Sequence, residues 1–168
     1  RDLEGYHNLM KLSSLAYKEG FYYKPRIDKD ILRQYSKGLV GSSACLSSPI
    51  NRMALLGSEE QLRDEIVEYN DIFEPGSFFL ELQNHGLQEQ EVILEKIPPL
   101  AKEYGIPLIA TNDVHYLAPG DARAQEIHLC INTGKTMEDD DRLRMDKDRF
   151  YFRNKEEMNR VFADFPEA

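Results

Sequence analysis

Cysteine is scarce in this sequence: Cys45 and Cys130 are the only two, far apart and in no repeated spacing. A disulfide framework is therefore excluded, and a reducing compartment fits better. Long apolar runs are missing as well, none approaching the ~20 residues needed to cross a bilayer. The opening residues, RDLEGYHNLMKLSS, lack the charged-then-apolar layout of a secretory leader, so the chain reads as soluble and cytoplasmic, with no membrane partner. Positive charge is in deficit, 21 Lys and Arg against 30 Asp and Glu, and the net charge of -9 repels a polyanion. That argues against a stand-alone DNA-binding module, though not against a domain of an enzyme that grips DNA elsewhere. Internal repeats, low-complexity linkers, glycine-rich phosphate loops, Ser-His-Asp arrangements and CxxC pairs are absent too.

What remains is enough for one ordinary core: 168 residues, 41% of them hydrophobic. Leu3, Tyr6, Leu9, Met10, Leu12, Leu15 and Ala16 recur at spacings of three and four, which predicts an amphipathic helix over 3–17 that stops near Gly20. Asp28 is a candidate N-cap for a short helix through Ile31, Leu32 and Tyr35. Residues 38–44, GLVGSSA, read as a strand whose small side chains permit close approach. Ser58 and Gln61 form a capping-box start for a helix carrying Leu62, Ile66, Val67 and Tyr69, ended by Pro75 and Gly76. A buried strand over 77–82 and a helix over 88–104, kinked at Pro98 and Pro99 and closed by Gly105, come next. A strand over 107–111 and a helix over 119–131 complete the regular alternation. The charged stretch 138–148 predicts an exposed loop, followed by a short strand over 150–152 and a final helix capped by Asn154. Alternating strands and helices predict an α/β fold of parallel strands joined by crossover helices.

In such folds functional groups gather at the carboxyl ends of the strands. That rule selects Cys45, the stretch from Glu81 to His85, and the stretch from Asn112 to His115. Asp113 and His115 flank one residue just after a strand, so both can point toward one ion. An oxygen and an imidazole nitrogen suit zinc, manganese or iron at a phosphoester-cleaving site. The competing reading is an Asp that caps the turn and a His that packs on the sheet rim. Cys45 is either a thiolate ligand of the same ion or a buried core thiol. Glu81 and His85 either line the site or lie at the surface, since a carboxylate in an apolar strand must find a partner. Tyr22, Tyr23, Lys24 and Arg26 interleave aromatics with charge, and Lys24 and Arg26 are candidate phosphate binders, although such stretches also occur as plain connections. His7 and His128 read as structural or exposed, Cys130 as core, and Asp139, Asp140 and Asp141 as solvated.

Seven stretches in one order, EGYHNLMKLSS, GFYYKPRID, GLVGSSACL, FFLELQNHG, GIPLIATNDVHYL, INTGKT and FYFRNKEEM, resemble the PHP domain of bacterial DNA polymerase III alpha subunits of the DnaE type. The resemblance covers essentially the whole chain. It implies a distorted barrel of strands and helices, of which residues 1–168 form a single partial domain within a larger polymerase. It also implies a metal cluster at the carboxyl ends of the strands, with Cys45, Asp113 and His115 matching ligands of intact members. The family's His-X-His strand belongs ahead of a sequence like RDLEGYHN, and the polymerase palm belongs after the last residue. A partial site for zinc or manganese, weakly occupied or empty in this stretch alone, is therefore expected. Two roles are implied for the domain. One is a metal-dependent phosphoesterase, a 3'-to-5' proofreading exonuclease. The other is a structural domain that docks a separate proofreading subunit. The expected partners are the rest of the polymerase chain and, through it, DNA.

Overall fold

The structure is a computed structural model that describes residues 1–145 and 148–168. Local hydrogen bonds start most of its helices. Asp2 caps α1 (Leu3–Lys18) by accepting from the Gly5 amide at 2.8 Å, and Asp28 caps α2 (Lys29–Gln34) by accepting from Ile31 at 2.8 Å. After the short strand β1 (Gly41–Ser42) comes α3 (Pro49–Leu56), which opens with Ser48 as N-cap and Pro49 in its first turn. Sequence periodicity did not reveal α3. The expected capping box does form at α4 (Glu59–Ile72), with Ser58 and Gln61 bonding each other's backbone.

β2 (Phe78–Gln83) leads to α5 (Gln88–Tyr104), which runs through Pro98 and Pro99 as one helix and ends at Gly105 with φ of 64°. β3 (Leu108–Thr111) follows. The helix expected over 119–131 divides into a 3-10 turn (Pro119–Asp121) and α6 (Ala122–Thr133). α7 (Lys155–Val161) carries the Asn154 cap, here completed by Glu157. Two expected strands are shorter than anticipated. The first keeps only Gly41 and Ser42, because the backbone turns at Gly38 (φ 72°) to meet α1; the last, over 150–152, is reduced to one parallel bridge between Tyr116 and Tyr151. Of the loop expected over 138–148, residues 146 and 147 lie outside the described residues, and the rest holds neither helix nor strand.

The strands form a parallel sheet in the order β1-β2-β3, with Gly41 opposite Phe78 and Leu80 opposite Leu108. α3 and α4 connect the first pair, and α5 connects the second. β2 alternates strictly. Phe78, Leu80 and Leu82 are buried on one face, against Ile50, Ala54, Leu62 and Ile66 from α3 and α4 and Ile93, Ile97 and Leu100 from α5. Each such fully buried side chain contributes about 1.5–3 kcal/mol. Phe79, Glu81 and Gln83 alternate onto the opposite face and are only half-buried.

α1 forms as its spacing predicts, but its apolar stripe faces outward. Leu3, Tyr6, Leu9 and Met10 are exposed, and only Gly5 and Leu12 are buried. The helix meets the rest of the chain through backbone: a Cβ on Gly5 would overlap the Gly38 carbonyl, and Asn8 donates to the Lys37 carbonyl at 2.9 Å. Among the described residues no helix is long and apolar enough to cross a membrane.

Candidate functional site

Two strand ends carry the side chains that the sequence marks as candidate cation ligands. Beyond β1 the chain enters a tight turn in which Ala44 adopts a left-handed φ of 54°, a conformation strained for any residue with a Cβ. Asn51, buried in the first turn of α3, holds that turn, its Nδ2 donating to the Ala44 carbonyl at 3.2 Å and the Cys45 carbonyl at 3.1 Å. The Ser48 amide donates to the Cys45 carbonyl at 2.9 Å. Cys45 is thus presented half-buried, with its Sγ 3.2 Å from Ser47 Oγ.

Beyond β3, the His115 amide donates to the Phe150 carbonyl at 2.8 Å, and the His115 ring stands edge-on to Phe150 at 5.5 Å. His115 Nδ1 lies 3.1 Å from the Asp113 carbonyl oxygen and 3.7 Å from its carboxylate. A carbonyl can only accept, so in the neutral ring this contact places the proton on Nδ1 and the lone pair on Nε2, the tautomer a metal-ligating imidazole needs.

Cys45, Asp113 and His115 line one cleft of about 360 Å³, together with Gln83, Gln90 and Phe150. A thiolate, a carboxylate and an imidazole are by chemistry a donor set for a zinc-class cation. Their placement is more open than a closed site, however. Among the described residues no three His, Cys, Asp or Glu side chains converge closely enough to hold an ion. The chain's own donors suit the cation in kind and leave its coordination incomplete.

The middle strand contributes differently from what its sequence leaves open. Glu81 is half-buried and bridges the sheet, its two carboxylate oxygens accepting from Ser42 on β1 and Thr111 on β3, each at 2.5 Å. His85 is wholly buried. Its Nδ1 lies 3.0 Å from Gln90 Nε2, its Nε2 lies 3.2 Å from Asn112 Oδ1, and its ring stacks on Phe150 at 4.4 Å and 5°. Burial is the main cause that pushes its pKa below the ordinary imidazole value. Gln83, from the selected 81–85 stretch, and Gln90, which sequence reasoning did not single out, line the cleft, whereas Glu81 and His85 are not among its lining side chains. The only sequence signal for Gln90 was its position in the first turn of the helix after β2.

Lys24 and Arg26 lie apart from the cleft lining, on an exposed hairpin where Arg26 sits 4.8 Å over the Tyr22 ring. Cys130 is buried with Sγ 3.7 Å from Met137 Sδ; exposed His128 bonds Asn132; Asp139 caps Thr136.

Among the described residues, three parallel strands with connecting helices and a cleft at their carboxyl ends make an α/β domain with an open sheet, consistent with part of a strand-helix barrel. Residues 1–85 match the family model of the PHP domain, and the chain belongs to that family. It is similar to DNA polymerase III subunit alpha of Borreliella burgdorferi, with 46% identity over 98% of this chain and 14% of the relative. The same-named subunit of Helicobacter pylori strain J99 is 45% identical over 100% of this chain and 15% of its own length, and that of Thermus aquaticus 41% over 100% and 13%. The chain thus spans about one-seventh of the length of these relatives.

Proposed function

We infer that these 168 residues are one continuous part of the PHP domain of a bacterial DNA polymerase III alpha subunit, a cytoplasmic replication enzyme. In this reading Cys45, Asp113 and His115 form one wall of a zinc or manganese site for phosphoester hydrolysis, a 3'-to-5' exonuclease in the intact enzyme. The carrying observation is that three donors of suitable chemistry, from the ends of two different strands, line a single cleft. A cation held there supplies Lewis-acid polarisation and an activated water at neutral pH. Asp113 contributes charge neutralisation, His115 its free Nε2, and Cys45 a thiolate; the remaining donors come from elsewhere in the polymerase chain. A single core running from Ile50 to Phe162 supports treating the stretch as one domain. The net charge of -9 assigns the main grip on DNA to other parts of the enzyme.

Zinc and manganese bound by the chain, and by a longer chain that includes the upstream strand, test the site. Cys45→Ala and His115→Ala should each reduce binding in the longer chain. Undiminished binding in both variants would return these residues to the roles of core thiol and strand-end packing. The 168-residue chain by itself should neither extend a primer nor bind single-stranded DNA tightly. Whatever weak, salt-sensitive DNA binding it has should be lost with Lys24→Ala and Arg26→Ala, the phosphate-binding pair beside Tyr22.

A second reading, a docking domain for a separate proofreading subunit without catalysis of its own, is favoured by one observation: the exposed apolar stripe of α1. Titrating a separately folded exonuclease subunit onto the chain, with and without Tyr6→Glu, distinguishes the two.

A further inference from the structure

His85 is the most deeply buried titratable side chain near the cleft, and it does not line it. Its surroundings nevertheless form one connected chain of bonds that ends at the candidate donors. Gln90 Oε1 accepts from the His85 backbone amide at 2.6 Å, which fixes the orientation of the Gln90 amide and makes its Nε2 the donor toward His85 Nδ1. His85 Nδ1 is therefore an acceptor, and its proton sits on Nε2, where it donates to Asn112 Oδ1. Asn112 Nδ2 in turn donates to the Tyr151 carbonyl at 2.7 Å, so neither side-chain amide can flip without losing a bond. The ring faces Phe150, whose carbonyl receives the His115 amide and whose ring supports the edge of the His115 imidazole.

Two routes thus run from His85 to the loop that bears Asp113 and His115: a polar one through Asn112, the residue just before Asp113, and an apolar one through Phe150. A wholly buried imidazole whose two ring nitrogens both have partners is a rigid, fully satisfied joint. Partners that orient ligands in this way typically change metal affinity by about 10–100-fold when removed.

We propose that His85 is a positioning residue: held as the neutral Nε2-H imidazole between Gln90 and Asn112, it sets the conformation of the 112–116 loop and the Nδ1-H tautomer of His115. The metal consequence rests on the function proposed above; the conformational one does not.

Nuclear magnetic resonance of the 168-residue chain separates the two. His85→Phe keeps a flat ring against Phe150 and removes both ring hydrogen bonds. Asn112→Leu breaks the polar route alone and serves if the first variant does not fold. In either variant the His115 amide should exchange with solvent at least about tenfold faster. The His115 ring nitrogens should shift from one tautomer toward a mixture, while the amides of Leu80 and Leu82 in β2 keep their protection. A folded variant of either kind with His115 exchange and ring shifts unchanged overturns the proposal. Cobalt(II), titrated by its thiolate absorption band, reads the other level. If the unsubstituted chain binds cobalt, both variants should weaken binding about tenfold, and equal affinity would again overturn the positioning role. If the unsubstituted chain shows no cobalt binding, as its incomplete donor set allows, the His115 resonances alone decide the role of His85.

Discussion

At the end of β3, the loop that carries Asp113 and His115 leans on a buried imidazole, two side-chain amides and a stacked aromatic ring. At the end of β1, the turn that carries Cys45 has no such backing; a strained Ala44 is clamped by one buried amide, Asn51, whose Oδ1 is left without a partner among the described residues. The first support is fully satisfied and cooperative. The second stores strain and holds it with two hydrogen bonds from Asn51 and one from the Ser48 amide. Two strand ends that line one cleft can therefore be fixed by unrelated means, and the two should fail independently under substitution.

Loss of the imidazole should produce the largest effect. His85→Ala removes a wholly buried ring, leaves an apolar void against Phe150 and orphans Gln90 and Asn112, so unfolding by urea should show a loss of about 3 kcal/mol or more. If the ends are independent, the rate at which Cys45 reacts with a thiol reagent should not change. The same group gives the chain a pH dependence. Because burial lowers the folded pKa of His85 below its unfolded value of 6.5, the unfolded state binds more protons in that interval. Stability is then fully present above about pH 6.5 and declines as pH falls through the folded pKa. His85→Phe should flatten that decline in denaturation measured between pH 7 and pH 5.

Asn51→Ala should act at the other end. Two part-buried hydrogen bonds are lost, although the Cys45 carbonyl keeps the Ser48 amide, so about 1–3 kcal/mol of stability should go, and Cys45 should react faster while the His115 amide keeps its protection. Faster exchange at His115 in this variant would show that the two strand ends are coupled after all. The smallest effect belongs to Ala44→Gly. Relief of the left-handed strain, set against the greater freedom of glycine when unfolded, leaves a net gain of about 0.5 kcal/mol in thermal unfolding. A loss instead would mean that the Ala44 side chain contributes packing that outweighs its strain.

Helix starts were legible in sequence where both partners of a cap lie within a few residues, as at Asp28, at Ser58 with Gln61, and at Asn154. β2 and β3 were legible within a residue, because continuous apolar runs bounded by Pro or Gly have few other solutions. α3 was not, since eight residues carry too little periodicity to stand out and its start depends on Ser48 and Pro49 together. α1 was legible as a helix and not as a surface, because spacing reports which residues share a face and not whether anything covers that face.

By itself the sequence determined the alternation of strands and helices, the candidate donors at their ends and the membership of a family, all of which depend on residues close together in the chain or on their order. Only the tertiary structure decided that Cys45 shares a cleft with Asp113 and His115, that Glu81 ties three strands together, and that His85 is a buried joint rather than a cleft or surface residue. The physical reason is the same in each case. The partners of Glu81 stand 39 and 30 positions away, and Asn112 stands 27 positions from His85. An isolated sequence states that a polar group must be satisfied; packing alone selects which distant group satisfies it.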